Sequence, residues 1–393
     1  MSRFEADTYL DQVFEEALKR RASDVHFEPH GDGCHVMLRV DGLLGPHEVF
    51  SLENLPRVVA RLKVLAGLPV YERDMAFEGH VEIQNGEVPI QARLSILPTI
   101  HGEKAVVRIF RRDECALSLD QLGLGANVLA DLRVVARARQ GVLLFTGPSG
   151  SGKTTTIYAL LEELHRESRG QTNIATLEDP VERDLGFAAQ TPLSRCRNMT
   201  FADAFKSLLR QDPEVIVVGE IRDPETAQIA VRAGMTGHLV ISTIHSRDTC
   251  EAFPRLLEMG VEAYLAASAV VGVVSQRLVR KLCGYSKTQI QVPEGIRAKL
   301  GVEASASLYG PSGCRQCANT GYFGRTALAE SLTVGDDLRE AILSRADLRT
   351  LRRVGSGSLS VSLAQSAARL LAEGVTSPDE IFRVLPRLEN GDA

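Results

Sequence analysis

The sequence predicts an α/β fold around a buried, largely parallel sheet, preceded by a smaller α+β domain and followed by a helical C-terminal region. Three observations carry this. Short β-branched runs, apolar on both faces, alternate with helical patterns between Gly141 and Thr243, the grammar of a parallel sheet with crossover helices. Within them, Gly147–Thr154 reads G-x-x-x-x-G-K-T, a phosphate-binding loop between a strand and a helix. The first hundred residues instead mix helices with hairpin signals.

At the N-terminus, Leu10, Val13, Phe14, Ala17 and Leu18 recur at helical spacing. His35–Val40 alternates as a strand and runs into the turn pair Asp41-Gly42. A helix is expected over Leu55–Ala66, a second hairpin over Val81–Gln84 and Val88–Ser95 with its turn at Asn85-Gly86, and a strand over Ala105–Phe110. Arg111–Leu119 reads as a charged connector. The buried strands are expected at Gly141–Thr146, Asn173–Leu177, Val215–Gly219 and His238–Thr243, with a helix over Thr155–Leu164. From Cys283 the chain turns loop-rich; later, Ala341–Leu351 and Leu363–Leu371 carry helical periodicity, with Gly355–Ser358 a flexible break.

The 393 residues suggest two to three domains. With 44% hydrophobic and 24% charged residues the composition is globular, which excludes disordered and fibrous classes. A net charge of −5 gives no global attraction to nucleic acid or anionic lipid. The longest mostly apolar stretch, Ala263–Val274, is well short of the roughly 20 residues of a membrane helix, and residues Met1–Arg20 lack a signal-peptide pattern, so a soluble chain is expected. Its seven cysteines are then expected as reduced thiols.

In the loop Gly147-Pro148-Ser149-Gly150-Ser151-Gly152-Lys153-Thr154-Thr155, backbone N–H groups curl around phosphates at a helix N-terminus. Lys153 is expected to reach the β and γ phosphates of ATP, and the Thr154 hydroxyl to ligate Mg²⁺. Two strand ends bring acidic residues to the same edge, Ile174–Glu182 and Val215–Asp223. Of these, Glu178 and Glu220 are the expected chemical pair, one polarising the attacking water and the other organising the metal shell. Asp179 and Asp223, each before a proline, read as turn or cap chemistry.

Together these segments resemble the secretion ATPases of type II secretion and type IV pilus systems (the GspE/PilB type), over about Ala22 to Glu330. Leu209–Asp223 looks like the family's Walker B signature, in which Gly219-Glu220 is normal; Ile174–Glu182 is similar to its Asp box and Thr236–His245 to its His box. Ala22–Pro29, Arg39–Gly42, Arg93–Ser95 and Gly102–Arg108 look like its N-terminal signatures. The resemblance implies a PAS-like domain at residues 1–112, a linker at 113–120, a RecA-like core at 121–282, a cysteine-containing segment at 283–325 and a helical region at 326–393. It further implies a homo-oligomeric ring of six, arginines of the first domain (Arg93 and Arg108, with Arg39 less firmly matched) that approach phosphate, and His245 as a γ-phosphate sensor. The implied protein is cytoplasmic, held at the inner membrane through a platform protein, binds no nucleic acid, and hydrolyses ATP with Mg²⁺ to drive pilin or pseudopilin assembly.

The alternatives are a retraction-type motor and a nucleotide-dependent interaction module with little hydrolysis. The family's four-cysteine zinc site is incomplete here: Cys314-x-x-Cys317 is whole, but the first pair reads Cys283-Gly-Tyr-Ser286. A zinc site of three cysteines with an outside ligand and a metal-free remnant both fit. Set against the resemblance, the sequence is expected to start at the PAS-like domain, where full-length secretion members carry an extra N-terminal docking domain.

Overall fold

The computed structural model describes residues 4–84, 89–110, 118–196 and 198–390, and the counts below are of these residues. The expected turn at Asn85-Gly86, Val88 and most of the connector lie outside them. Contacts divide the chain into two units, Met1–Cys115 and Ala116–Ala393.

The first unit contains α1 (Ala6–Lys19), β1 (Ala22–His30), β2 (Gly33–Val40), β3 (Leu43–Phe50), α2 (Leu55–Leu65), β4 (Phe77–Ile83), β5 (Ile90–Thr99) and β6 (Gly102–Ile109). Its six strands form an antiparallel sheet in the order β3-β2-β1-β6-β5-β4. Alternation sets its faces. Val25, Phe27, Val36, Leu38, Leu94 and Val107 point into a core completed by Leu10 and Phe14 of α1 and Val58 and Leu62 of α2. β1 was not legible as a strand because Ser23, Asp24, His26 and Glu28 make it polar. Those polar residues occupy the sheet's other face, where they meet cations.

The second unit opens with α3 (Ala126–Ala136), β7 (Gly141–Thr146), α4 (Lys153–Glu167), β8 (Ile174–Glu178), β9 (Ala189–Pro192), α5 (Phe201–Leu208), β10 (Val215–Val218), α6 (Pro224–Met235) and β11 (Leu239–Ile244). It continues with α7 (Ala252–Glu258), α8 (Ala263–Ala269), β12 (Val270–Leu282), β13 (Thr288–Ile290), α9 (Glu294–Leu300), β14 (Leu308–Gly310) and β15 (Tyr322–Thr333). Last come α10 (Asp336–Leu343), α11 (Leu348–Gly355), β16 (Leu359–Val361), α12 (Leu363–Ala372), α13 (Pro378–Val384) and α14 (Pro386–Asn390).

Eight strands form one sheet in the order β16-β15-β12-β7-β11-β10-β8-β9. β12, β7, β11, β10, β8 and β9 run parallel to their neighbours, and β15 and β16 are antiparallel additions. Every residue of β7, β8, β10 and β11 is buried. Alternate residues feed opposite cores: Leu143, Phe145, Val217 and Ile241 pack on α3 and α4, while Val142, Leu144, Ile216 and Val240 pack with α5 to α8. This two-sided burial makes those strands read as continuous apolar runs.

The structure adjusts three expectations. The apolar stretch Ala263–Val274 splits at Val270 into α8 and β12. Its first half is alanine-rich and helix-favouring; its second is Val-Val-Gly-Val-Val and strand-favouring. The pattern over Ala341–Leu351 is two helices, because Asp347 caps α11 by accepting from the Thr350 N–H at 2.7 Å. Gly355 is not a flexible break but a packing position: a Cβ there would lie 2.6 Å from the Cys250 Sγ.

The C-terminal helices are pinned to β12 through Glu380, which is fully buried. Its carboxylate accepts from the Arg280 N–H at 2.9 Å, from Arg280 Nη2 at 2.8 Å, and from Arg383 Nη2 at 2.6 Å. Burial pushes the Glu380 carboxyl up, but the Arg383 and Arg280 hydrogen bonds outweigh it and hold it below its ordinary value. A carboxyl depressed by folding contributes stability above its unfolded value, near pH 4.3, and loses it as pH falls through the folded value. Glu380→Gln leaves Arg280 half-buried and short of its counter-charge, at a cost of about 3–5 kcal/mol. Thermal melts should show this difference undiminished at pH 7 and narrowing below about pH 4.3.

Candidate functional site

β7 ends at Thr146, and the chain turns through Gly147–Gly152 into α4. Gly152 has φ 86°, a left-handed conformation that glycine adopts without a Cβ penalty. A Cβ there would also meet the Gln276 side-chain amide at 2.8 Å. Gln276, on β12 and buried, braces the turn from behind: it donates to the Ser151 carbonyl at 2.8 Å and accepts from the Thr156 hydroxyl at 2.9 Å. The Thr146 hydroxyl donates to the Ser246 carbonyl at 2.6 Å and accepts from the Ser246 N–H at 3.0 Å, which ties β7 to the chain just after β11. Lys153 Nζ donates to the Gly147 and Pro148 carbonyls at 2.8 and 3.0 Å. Burial pushes its amine below the ordinary lysine value, the Glu220 carboxylate opposes this, and Arg277 adds to it.

The neighbouring strand ends deliver the carboxylates. Parallel pairing sets Leu177 opposite Val218 and Val218 opposite Ser242, so Glu178, Glu220 and His245 emerge along one edge. Glu178 is buried and surrounded by donors: the Tyr158 hydroxyl, the Thr176 hydroxyl at 2.6 Å and the Gln190 amide at 3.2 Å. Burial and the Glu178 carboxylate together push the Tyr158 phenol far up, so it stays a donor. Glu220 stands at the mouth of the cleft, with His245 Nε2 at 2.6 Å and Arg222 Nε at 2.7 Å. Gly219 lies where a Cβ would come within 3.3 Å of the Leu177 carbonyl. β10 and β8 approach closely here, so a Cβ would require the Leu177 backbone to shift by a few tenths of an ångström.

Ser149–Thr155, Glu178, Asp179, Gly219, Glu220, Arg222, Thr243 and His245 line one cleft of about 620 Å³, with Leu278 and Arg325 also in its wall. Asp223 caps α6, accepting from the Thr226 N–H at 2.9 Å and its hydroxyl at 2.7 Å. Asp179 begins a turn before Pro180 rather than capping a helix. His238 sits at the other end of β11, where Nδ1 lies 3.1 Å from the Ala233 carbonyl, and has no part in the cleft. Gln276, Tyr158, Thr176 and Gln190 escaped the sequence reading. Thr176 lies two residues before Glu178 on β8, and the other three act on residues that only tertiary packing brings near.

In the first unit the arginines fall in one cross-strand row. Arg39 of β2 and Arg108 of β6 both lie opposite Asp24 of β1, and Arg93 of β5 lies opposite Arg108. Arg93 Nη2 donates to Glu78 at 2.5 Å.

In the cysteine segment, Cys283 Sγ lies 3.8 Å from Cys314 Sγ, which lies 3.6 Å from Cys317 Sγ. The Ser286 hydroxyl is 3.7 Å from Cys317 Sγ. Burial pushes the Cys317 thiol up, but N–H groups of Cys314 and Gly321, the Ser286 hydroxyl and the Cys314 thiol outweigh it and hold it down to about 6. Among the described residues no helix is long and apolar enough to cross a membrane.

The sequence family described as type II/IV secretion system protein matches residues 5–383. The chain is 37% identical over 382 residues to the type IV pilus assembly ATPase PilB of Thermus thermophilus, covering 96% of this chain and 42% of that protein. It is 38% identical over 377 residues to the putative type II secretion system protein E of Escherichia coli, covering 95% of this chain and 76% of that one. The chain thus spans less than half of the Thermus relative and about three quarters of the Escherichia relative. Among solved structures, the Legionella pneumophila ATPase DotB superposes with a TM-score of 0.72 at 20% identity, over 100% of this chain and 98% of that one. The pilus retraction motor PilT with bound ADP gives 0.60 at 22% identity, over 95% and 96%. At those identities the likeness is one of fold, the RecA-like P-loop fold.

Gln276 gives the site a test independent of the carboxylates. Gln276→Ala strands the Ser151 carbonyl, a loss of about 1–3 kcal/mol, and leaves the Thr156 hydroxyl only the Gly152 carbonyl at 3.2 Å. Titration with a fluorescent ATP analogue should show affinity falling about tenfold or more.

Proposed function

The chain belongs to the type II/IV secretion system protein family, a family of P-loop ATPases, and from that premise we propose that it works as a Mg²⁺-dependent ATPase in a ring of six, powering pilin or pseudopilin assembly. The observation that carries this reading is Glu220, held 2.6 Å from His245 at the mouth of a cleft whose floor is the phosphate loop. A protein that only bound nucleotide would have no need of a carboxylate oriented at that edge.

The residues take distinct parts. N–H groups of Ser149–Thr155 and the Lys153 ammonium hold the β and γ phosphates. Glu220, partly open to the cleft, accepts the proton of the attacking water, and His245 orients it and reads the γ-phosphate. Glu178, surrounded by three donors, is fixed too firmly to serve as base and instead organises the metal's surroundings. Thr154, at the start of α4 beside these carboxylates, offers the hard oxygen that Mg²⁺ prefers; bound with ATP, the ion neutralises phosphate charge. Arg93 and Arg108 meet the phosphates once the ring assembles. The ring would act from the cytoplasm on an inner-membrane platform protein, without nucleic acid.

The cysteine cluster fits zinc. Tetrahedral Zn–S bonds of about 2.3 Å place sulfurs about 3.8 Å apart, close to the 3.6 and 3.8 Å found here. Cys283, Cys314 and Cys317 would be the thiolate ligands, with Ser286 or water at the fourth position.

Glu220→Gln should lower kcat at least about 100-fold while ATP affinity changes less than about twofold; turnover near the wild-type rate would remove Glu220 from the chemistry. Elemental analysis of purified protein should find close to one zinc per chain, reduced to background in Cys314→Ser, and Ser286→Cys should hold the metal against chelators that strip the wild type.

A further inference from the structure

The arginine row of the first unit is organised around a residue with no assigned role. Asp24 lies on β1 opposite Arg39 on one side and Arg108 on the other. Its side chain is 5% exposed, whereas that of Arg108 is 66% exposed. One carboxylate oxygen accepts from Arg108 Nε at 2.9 Å. The other accepts from the Ser23 hydroxyl at 2.8 Å and lies 3.5 Å from Arg39 Nε.

A guanidinium has two edges that can meet an anion: the side edge at Nε and the end edge formed by the two Nη groups. At Arg108 the side edge is committed to Asp24. Among the described residues, neither Nη group of Arg108 has a hydrogen-bond partner, so the end edge is presented whole. Arg39 differs, since its Nη1 donates to the Gly42 carbonyl at 3.1 Å. Arg93 differs too, being paired with Glu78. A long arginine on an exposed sheet face would otherwise sample many rotamers, and ordering it at the moment of binding costs free energy. The buried carboxylate also lies between Arg39 and Arg108, on the two strands that flank β1.

We propose that Asp24 is a positioning residue, whose carboxylate holds Arg108 by Nε so that the free end edge faces outward toward a nucleotide phosphate. The proposal rests on the reading of Arg108 as a phosphate ligand.

The test uses full-length protein and a double-mutant cycle of Asp24→Asn and Arg108→Ala, followed by kcat, ATP affinity and thermal melting. Asparagine keeps the shape but presents an amide where an anion faced two cations. Asp24→Asn should lower kcat about tenfold, the scale of one charge-assisted hydrogen bond, with ATP affinity changed less than about twofold. In the Arg108→Ala background it should slow turnover no further. Equal slowing in both backgrounds, or no slowing in the wild type while Arg108→Ala is impaired, overturns the proposal and leaves the reading of Arg108 standing. Wild-type turnover in Arg108→Ala overturns both. Arg108→Lys, an exposed substitution that does not depend on Asp24→Asn folding, keeps the charge but cannot be held at Nε and present a two-pronged edge together. It should lose at least as much turnover as Asp24→Asn, and full activity in it would contradict the role assigned to Asp24.

Discussion

Parallel pairing of β7, β11, β10 and β8 is the constraint on which the rest depends. In a parallel sheet every strand delivers its C-terminus to the same edge. The phosphate loop after β7, Glu178 closing β8, Glu220 after β10 and His245 after β11 therefore converge, although they span nearly a hundred residues of sequence. Burial on both faces fixes their spacing, because no strand can shift without opening one of two cores. The antiparallel strand β15 extends the sheet beyond β12, and β12 supplies Gln276, which reaches back to brace the loop from outside the catalytic motifs.

The charges of the cleft show what it lacks. Five carboxylates line it (Glu178, Asp179, Glu182, Glu220 and Asp223) against three cations, Lys153, Arg222 and Arg325. Arg222 is already engaged by Glu220. A triphosphate entering such a site requires further positive charge. In the proposed mechanism a divalent ion supplies part of it and the arginine row of the first unit the rest, which couples the chemistry to assembly.

Much of this was legible in the sequence, for identifiable reasons. The strands beside the phosphate loop were visible because burial on both faces makes them unbroken apolar runs, and the loop because its glycines and lysine serve phosphate at fixed spacing. β1, β12 and β15 were not. β1 is amphipathic in an unusual way, its outer face carrying Asp24, His26 and Glu28 rather than ordinary solvent-facing polars. β12 is joined to α8 in one apolar stretch whose conformational switch lies only in alanine giving way to valine. The supporting residues were hidden for another reason: Gln276, Tyr158 and Asp24 owe their roles to partners 125, 20 and 84 positions away. The cysteine segment was legible as a damaged pattern, and its geometry adds that the Ser286 hydroxyl stands beside the Cys317 thiol.

In the proposed mechanism the cleft of one chain is incomplete until the chains assemble. The most direct measurement is specific ATPase activity across a wide range of protein concentration, with oligomeric state followed in the same samples. Activity per chain should rise with concentration and level off where the ring is fully formed. Activity per chain that stays constant from the monomeric to the assembled range would rule this mechanism out, because one chain would then hold every charge that hydrolysis requires.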